Sequence, residues 1–216
     1  MTDRPSSGLR SYPRARYWVA LFSLLTAPLA GASTLTQALL ACEPVFFHEL
    51  DQHRDALEPV VALGHDSQIA WIAVPDRSAE DRASTFFSRP VADGPLHLSG
   101  FFDHYSHLGA AGSYYYWGFY INESLEQIMA TTPQAHWVHS GTEYASNPLI
   151  KFSSREPWQA NATAVSGIAP ARGSIEKLVL LEQRKGRSLL TCSVQGSVDG
   201  VVMDEERPDL VRRPQP

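Results

Sequence analysis

Cysteine occurs twice in this chain, at Cys42 and Cys192, about 150 positions apart and with no CxxC spacing. Such a pair carries little weight in a reducing compartment. In an oxidising one it is most simply a single disulfide, which forces the two ends of the chain into one core. The N-terminus says which compartment applies. Arg4, Arg10, Arg14 and Arg16 precede an apolar run from Tyr17 to Leu29, followed by the small residues Ala30, Gly31 and Ala32. That order is a secretory leader, with Ala30 and Ala32 at the −3 and −1 positions of a cleavage that makes Ser33 the first mature residue. Residues 1–32 are therefore read as a signal peptide and the protein as periplasmic or secreted.

Two other readings of the same stretch place the protein on a membrane. The 26 residues between Arg16 and Glu43 carry no charge and are long enough for an uncleaved anchor. Pro28, Gly31, Ser33, Thr34, Thr36 and Gln37 weaken it. Leu39-Leu40-Ala41-Cys42 resembles a lipobox with Cys42 lipidated, but the apolar run ends about a dozen residues too early for it. Removing the leader takes away four arginines and Asp3, leaving 14 basic and 22 acidic side chains, a net −8 against −5 for the whole chain. A surface that acidic repels phosphate backbones, and nucleic acid is set aside as a partner. Leader cleavage also leaves no membrane span.

Downstream, Leu35, Leu39, Cys42, Phe46, Leu50 and Leu57 recur at helical spacing and predict a long helix over Thr34 to about Glu58, with Pro44 kinking it or splitting it in two. Gln68 to Val74 reads as an interior strand, and strand-like runs follow at Ser84 to Ser88, Leu96 to Phe102 and Ser113 to Ile121. Ser124 and Gln127 have the spacing of a capping box ahead of a short helix. Pro148 to Phe152 is a further strand candidate. Ile175 to Gln183 and Ser188 to Gln195 alternate around Arg184-Lys185-Gly186-Arg187 as a hairpin whose second strand puts Leu190, Cys192 and Val194 on one face. Beyond Val202 charge and proline occur without an apolar period, so 203–216 reads as a disordered tail. The expectation is a single α+β domain over 33–202, a mostly antiparallel sheet packed against a long N-terminal helix and tied to it by Cys42–Cys192.

The chemistry is less determined, because no motif names a reaction. His48-Glu49-Leu50-Asp51-Gln52-His53 spaces its histidines five apart, about 140° around a helix, and so fails the HExxH pattern. No GxSxG elbow occurs. The pairs His104/His107 and His136/His139, with Asp103 beside the first, form two HxxH steps that could hold zinc in a metal-dependent hydrolase, provided the two pairs meet. The aromatic run Tyr114 to Tyr120 is the stronger feature. In a strand it puts Tyr114, Tyr116 and Tyr120 on one face and Tyr115, Trp117 and Phe119 on the other. Both faces cannot be spent on one core. A tyrosine face with Gly118 leaving a gap suits a carbohydrate, a peptide or a partner protein. The preferred reading is thus an exported, non-enzymatic binding or interaction protein of unknown ligand, with the zinc hydrolase as its alternative. Export through a short leader suggests a bacterial source. In a eukaryotic host the sequons at Asn122 and Asn161 would be candidates for glycosylation.

Overall fold

The computed structural model describes residues 1–2, 34–164 and 168–212. The leader expected over 1–32 lies almost entirely outside these residues, as does the proposed cleavage point. From Thr34 the chain forms three short helices, α1 (Leu35–Ala41), α2 (Val45–Gln52) and α3 (Arg54–Leu57), in place of the long N-terminal helix that the apolar stripe predicts. The breaks have local causes. Cys42 turns left-handed at φ 53°, Pro44 follows as the cap of α2, and at His53 the backbone leaves helical values before α3 begins. The stripe itself survives the breaks: Leu35, Leu39, Phe46, Leu50 and Leu57 are all buried. The entry to α1 is fixed twice. Thr34 and Gln37 form a capping box, and the Asp93 carboxylate accepts from the amides of Leu35 and Thr36 at 2.9 and 2.8 Å, which pins the helix start to the sheet.

A small antiparallel pair, β1 (Leu63–His65) and β2 (Ala70–Ile72), precedes the main sheet. That sheet contains β3 (Ser84–Asp93), β4 (Leu96–His107), β5 (Ser113–Ile121), β6 (Val138–Ser140), β7 (Glu143–Lys151), β8 (Gln159–Ala160), β9 (Ile175–Arg184) and β10 (Arg187–Gly196). Its strands run in the order β3-β4-β5-β10-β9-β7-β6, with β8 beside β7, and each of these pairs is antiparallel. The last hairpin turns where the sequence places it, through Lys185 and Gly186 at φ 52° and 78°, the positive pair that a tight two-residue turn needs. Helix α4 (Leu125–Thr131) starts on the expected capping box of Ser124 and Gln127.

One face of the sheet carries the main core. Phe101, Trp117, Phe119, Leu190, Cys192, Val194, Val179 and Leu181 meet Leu35, Leu39, Phe46, Phe47 and Leu50 of the helices. Phe46 packs on Phe119 and Phe101 with ring centroids 5.7 and 6.4 Å away. Each of Phe46, Phe47 and Leu50 is sealed from solvent, a burial that contributes roughly 1.5–3 kcal/mol apiece. The disulfide joins Cys42 to Cys192 with the Cα atoms 5.2 Å apart and both residues buried, so the first helix and the last strand are linked through the core.

The expected disordered tail is instead part of the fold as far as Arg212. Helix α5 (Gly200–Glu206), capped by Asp199, and α6 (Pro208–Arg212) close on the same face of the sheet. Val202 and Met203 of α5 are buried, but the buried contacts that follow are charged, which is why no apolar period announced this segment. Arg207 is 0% exposed and donates to Asp103 of β4 at 3.1 and 2.9 Å and to Asp209 at 2.8 and 2.9 Å. Its guanidinium stands 4.8 Å from the Trp117 ring and 5.2 Å from Phe47. Burial works against that charge, but Asp103 and Asp209 outweigh it and hold the Arg207 pKa above its ordinary value. Glu206, also buried, accepts from Lys177 at 3.0 Å on each oxygen and from the Trp158 indole at 2.8 Å.

Candidate functional site

Strand alternation sends a second set of side chains to the opposite face, away from the helices, and there a cavity of about 540 Å³ opens. Its wall is built strand by strand from Phe102, His104 and Ser106 on β4, Tyr114 and Tyr116 on β5, Thr191 and Gln195 on β10, Leu178, Leu180, Glu182 and Arg184 on β9, and Glu143 on β7. Leu108 and Ala111 from the β4–β5 connection, Ile168 and Ala169 ahead of β9, and Glu80 ahead of β3 form the rim. Leu108 and Ile168 are exposed, 58% and 61%, large apolar side chains left at the mouth.

The three tyrosines of the aromatic strand share this face but not the same surroundings. Tyr116 lies in the wall, half-buried, opposite His104 and Ser193, with its ring 6.3 Å from the His104 ring and nearly parallel to it. Burial first, then Tyr114 and Glu143, push its hydroxyl up to about 12, so it is a neutral donor and acceptor at any working pH. Tyr114 also lines the cavity but is only 7% exposed, and its hydroxyl donates to the Ala111 carbonyl at 3.3 Å. Tyr120 does not line it. At 2% exposure it packs with Phe102, Leu189 and Ala83, its hydroxyl 3.1 Å from that of Ser84. Nor does Gly118 leave a gap. A Cβ there would stand 2.0 Å from the Leu190 carbonyl oxygen, so glycine is required because β10 approaches β5 closely.

The polar groups of the wall are organised. Glu143 and Glu182 are directly opposite each other across β7 and β9, on the cavity side. Burial raises both carboxyl pKa values above the ordinary carboxylate value, Glu182 adding to the shift of Glu143 and Arg184 opposing that of Glu182. Arg184 bonds Glu80 and lies 3.4 Å from Glu182, with its guanidinium 4.7 Å from the Phe102 ring. At the other end, buried Glu176 accepts from Asn161 and Gln195, each at 2.6 Å, and burial again raises its pKa. Burial lowers the His104 pKa, with Glu80 opposing, which keeps the ring neutral near pH 7.

The histidine arrangement differs from the zinc expectation. An HxxH step on a helix turn shares a side, but His104 and His107 lie on one extended strand, where residues three apart point to opposite faces. His107 is exposed and pairs across the strands with Ser113 at 3.1 Å. His136 and His139 are exposed near β6, which four strands separate from β4, and His139 contacts Tyr144. Among the described residues no group of three or more His, Cys, Asp or Glu could hold a metal ion. His48 and His53 bond the carbonyls of Gln68 and Glu49. Both cysteines are spent in the disulfide. No described helix is long and apolar enough to cross a membrane.

Sequence reasoning missed Glu80, Glu143, Glu182 and Arg184. Glu80 stands beside Asp81 and Arg184 beside Lys185 in charged connecting stretches that carry no sign of burial. The usable signal was in β9, where Glu176 and Glu182 flank Leu178 and Leu180 on one face, a mixture typical of a partly covered wall rather than of open solvent. Comparison with protein-family models, with curated proteins and with solved structures returns no match.

Proposed function

We propose that this is an exported binding protein, rather than an enzyme, that takes a small ligand in the cavity on the face of its sheet opposite helices α1 and α2. The observation that carries the reading is the cavity itself. At about 540 Å³ it falls within the range of small-molecule sites, and it combines aromatic and aliphatic walls with a few convergent polar groups. Tyr116 supplies a ring and a neutral hydroxyl, in keeping with the tyrosine face that suggested binding from the sequence. The polar groups around it are mainly tied to one another, Arg184 to Glu80 and Glu182 and Gln195 to Glu176, which suits a preformed recognition surface. Export is supported by the leader-like N-terminus and by a buried disulfide in the mature chain.

A fragment screen by chemical-shift perturbation tests the assignment. Saturable shifts are expected at Tyr116, Thr191 and Leu180, and Tyr116→Ala should weaken those fragments by about 5- to 10-fold, as losing a stacked ring and its hydroxyl implies. Shifts clustered anywhere else, or none that saturate, would remove the cavity from consideration.

A further inference from the structure

We infer that this cavity and a second, smaller one beside it form one groove that takes a single uncharged hydrocarbon chain, laid across the sheet from β4 to β6. This rests on the binding reading above and specifies the ligand class. The second cavity, about 340 Å³, is lined by Val138 and Ser140 of β6, Ala145 and Pro148 of β7, and Asn161 and Ala164 of the segment after β8. It lies on the same face of the sheet. Val138 pairs with Ala145 and Ala145 with Leu180, so the floor of the second cavity continues into that of the first. Two further contacts join them. Ala145, Leu178 and Leu180 form one buried apolar cluster with Tyr116 packed against it, and Glu176 ties Asn161 of one wall to Gln195 of the other through bonds of 2.6 Å each.

Length, polarity and charge each favour such a chain. The strands β4, β5, β10, β9, β7 and β6 are consecutive in the sheet, and at about 4.8 Å per strand the groove spans roughly 24 Å. A compact ring fills one end of it, whereas an extended chain reaches both. The middle of the floor, made by Tyr116, Leu178, Leu180 and Ala145, is apolar apart from one neutral hydroxyl. A sugar chain or a peptide crossing it would leave donors and acceptors without partners; methylenes lose nothing there. Leu108, Ile168 and Val138, exposed by 58, 61 and 64%, stand along the mouth, where a hydrocarbon covers them. The charges disfavour a fatty acid carboxylate. Arg184 is the one arginine or lysine among the described lining residues, and it is already bonded to Glu80 and Glu182, while burial lowers the His104 pKa. An alcohol or ester head needs no counter-ion.

Titration of the full-length protein with 1-hexanol, 1-decanol and decanoate, followed by amide chemical shifts, tests it. Hexanol should shift residues of the first cavity, Tyr116 and Leu180 among them, and decanol should shift these together with Val138 and Ala145 in one saturation. Each buried methylene is worth roughly a factor of four, so decanol should bind at least about 15-fold more tightly even with half of its four extra methylenes covered. Decanoate should bind more weakly than decanol. In Ala145→Leu, which fills the junction, the decanol shifts at Val138 should disappear and its gain over hexanol should fall below about fourfold, the worth of one methylene. Should that variant not fold, the wild-type series alone still decides. Decanol confined to the first cavity, or no tighter than hexanol, overturns the single groove and leaves the cavity reading intact. Tighter binding by decanoate overturns the uncharged class. Displacement of decanol from both ends by capped tetra-alanine would assign the groove to a peptide, and shifts at Val138 and Leu180 on raising the protein concentration alone would assign it to a second copy; either overturns the inference. No saturable binding by any probe ends both readings.

Discussion

The substitution Arg207→Met tests the least expected part of the fold. Arg207 is fully buried between Asp103 and Asp209, with four hydrogen bonds to their carboxylates and two aromatic rings beside it. Methionine keeps much of the apolar stem but leaves two buried carboxylates short of their guanidinium. Asp103 retains Arg77, whose Nε donates to it at 2.8 Å, so the damage at that end is partial. Breaking a buried pair by removing one partner costs about 3–5 kcal/mol, which for a domain of this size lowers Tm by about 6–20 °C. Urea denaturation, followed by tryptophan fluorescence, measures the loss through the midpoint at constant slope. Adding Asp103→Asn and Asp209→Asn to Arg207→Met should return part of it, because the stranded charges are then gone. A loss below about 1 kcal/mol for Arg207→Met would refute the reasoning and would return this segment to the status of a dispensable tail. Truncation after Val202 should act in the same direction and more strongly, because it also strips Glu206 from Lys177.

Three further outcomes follow from particular contacts. Reduction of Cys42–Cys192, or Cys42→Ser/Cys192→Ser, should cost about 2–5 kcal/mol in the same denaturation assay, since the bridge spans 150 residues of otherwise open loop; an unchanged midpoint would mean that the bond constrains nothing. Glu143 has a folded-state pKa above its ordinary 4.5, so the folded chain holds its proton more tightly and this group's contribution to stability is lost as pH rises from 4.5 through the raised value. The Tm advantage of Glu143→Gln over the wild type should therefore grow across that window and then level off, whereas a pH-independent difference would show the carboxyl to be unperturbed. Produced in a eukaryotic secretory host, the chain should carry glycan at exposed Asn122 and none at Asn161, whose amide is buried on Glu176; peptide mapping distinguishes the two.

What the sequence determined by itself is the local and the covalent. Two capping boxes, a hairpin turn through Lys185 and Gly186, strand alternation and a cysteine pair are each written in a few adjacent residues or in a count of two, and each was legible before the fold. The separation of the aromatic strand into a Trp117 face and a Tyr116 face was legible for the same reason, because alternation needs no partner strand. Tertiary structure alone decided which face the helices would cover. That choice left Tyr114 and Tyr116 on a cavity, sealed Tyr120 and parted the histidines. It also decided the charged contacts. Glu143 and Glu182 become neighbours only through the register of β7 on β9, and Arg207 finds Asp103 across 104 residues of chain. A charged residue carries no periodic signature of its burial, since the same arginine is solvated in one fold and locked in another. Its place depends on whether distant segments bring it a partner, and that is a property of the assembled sheet.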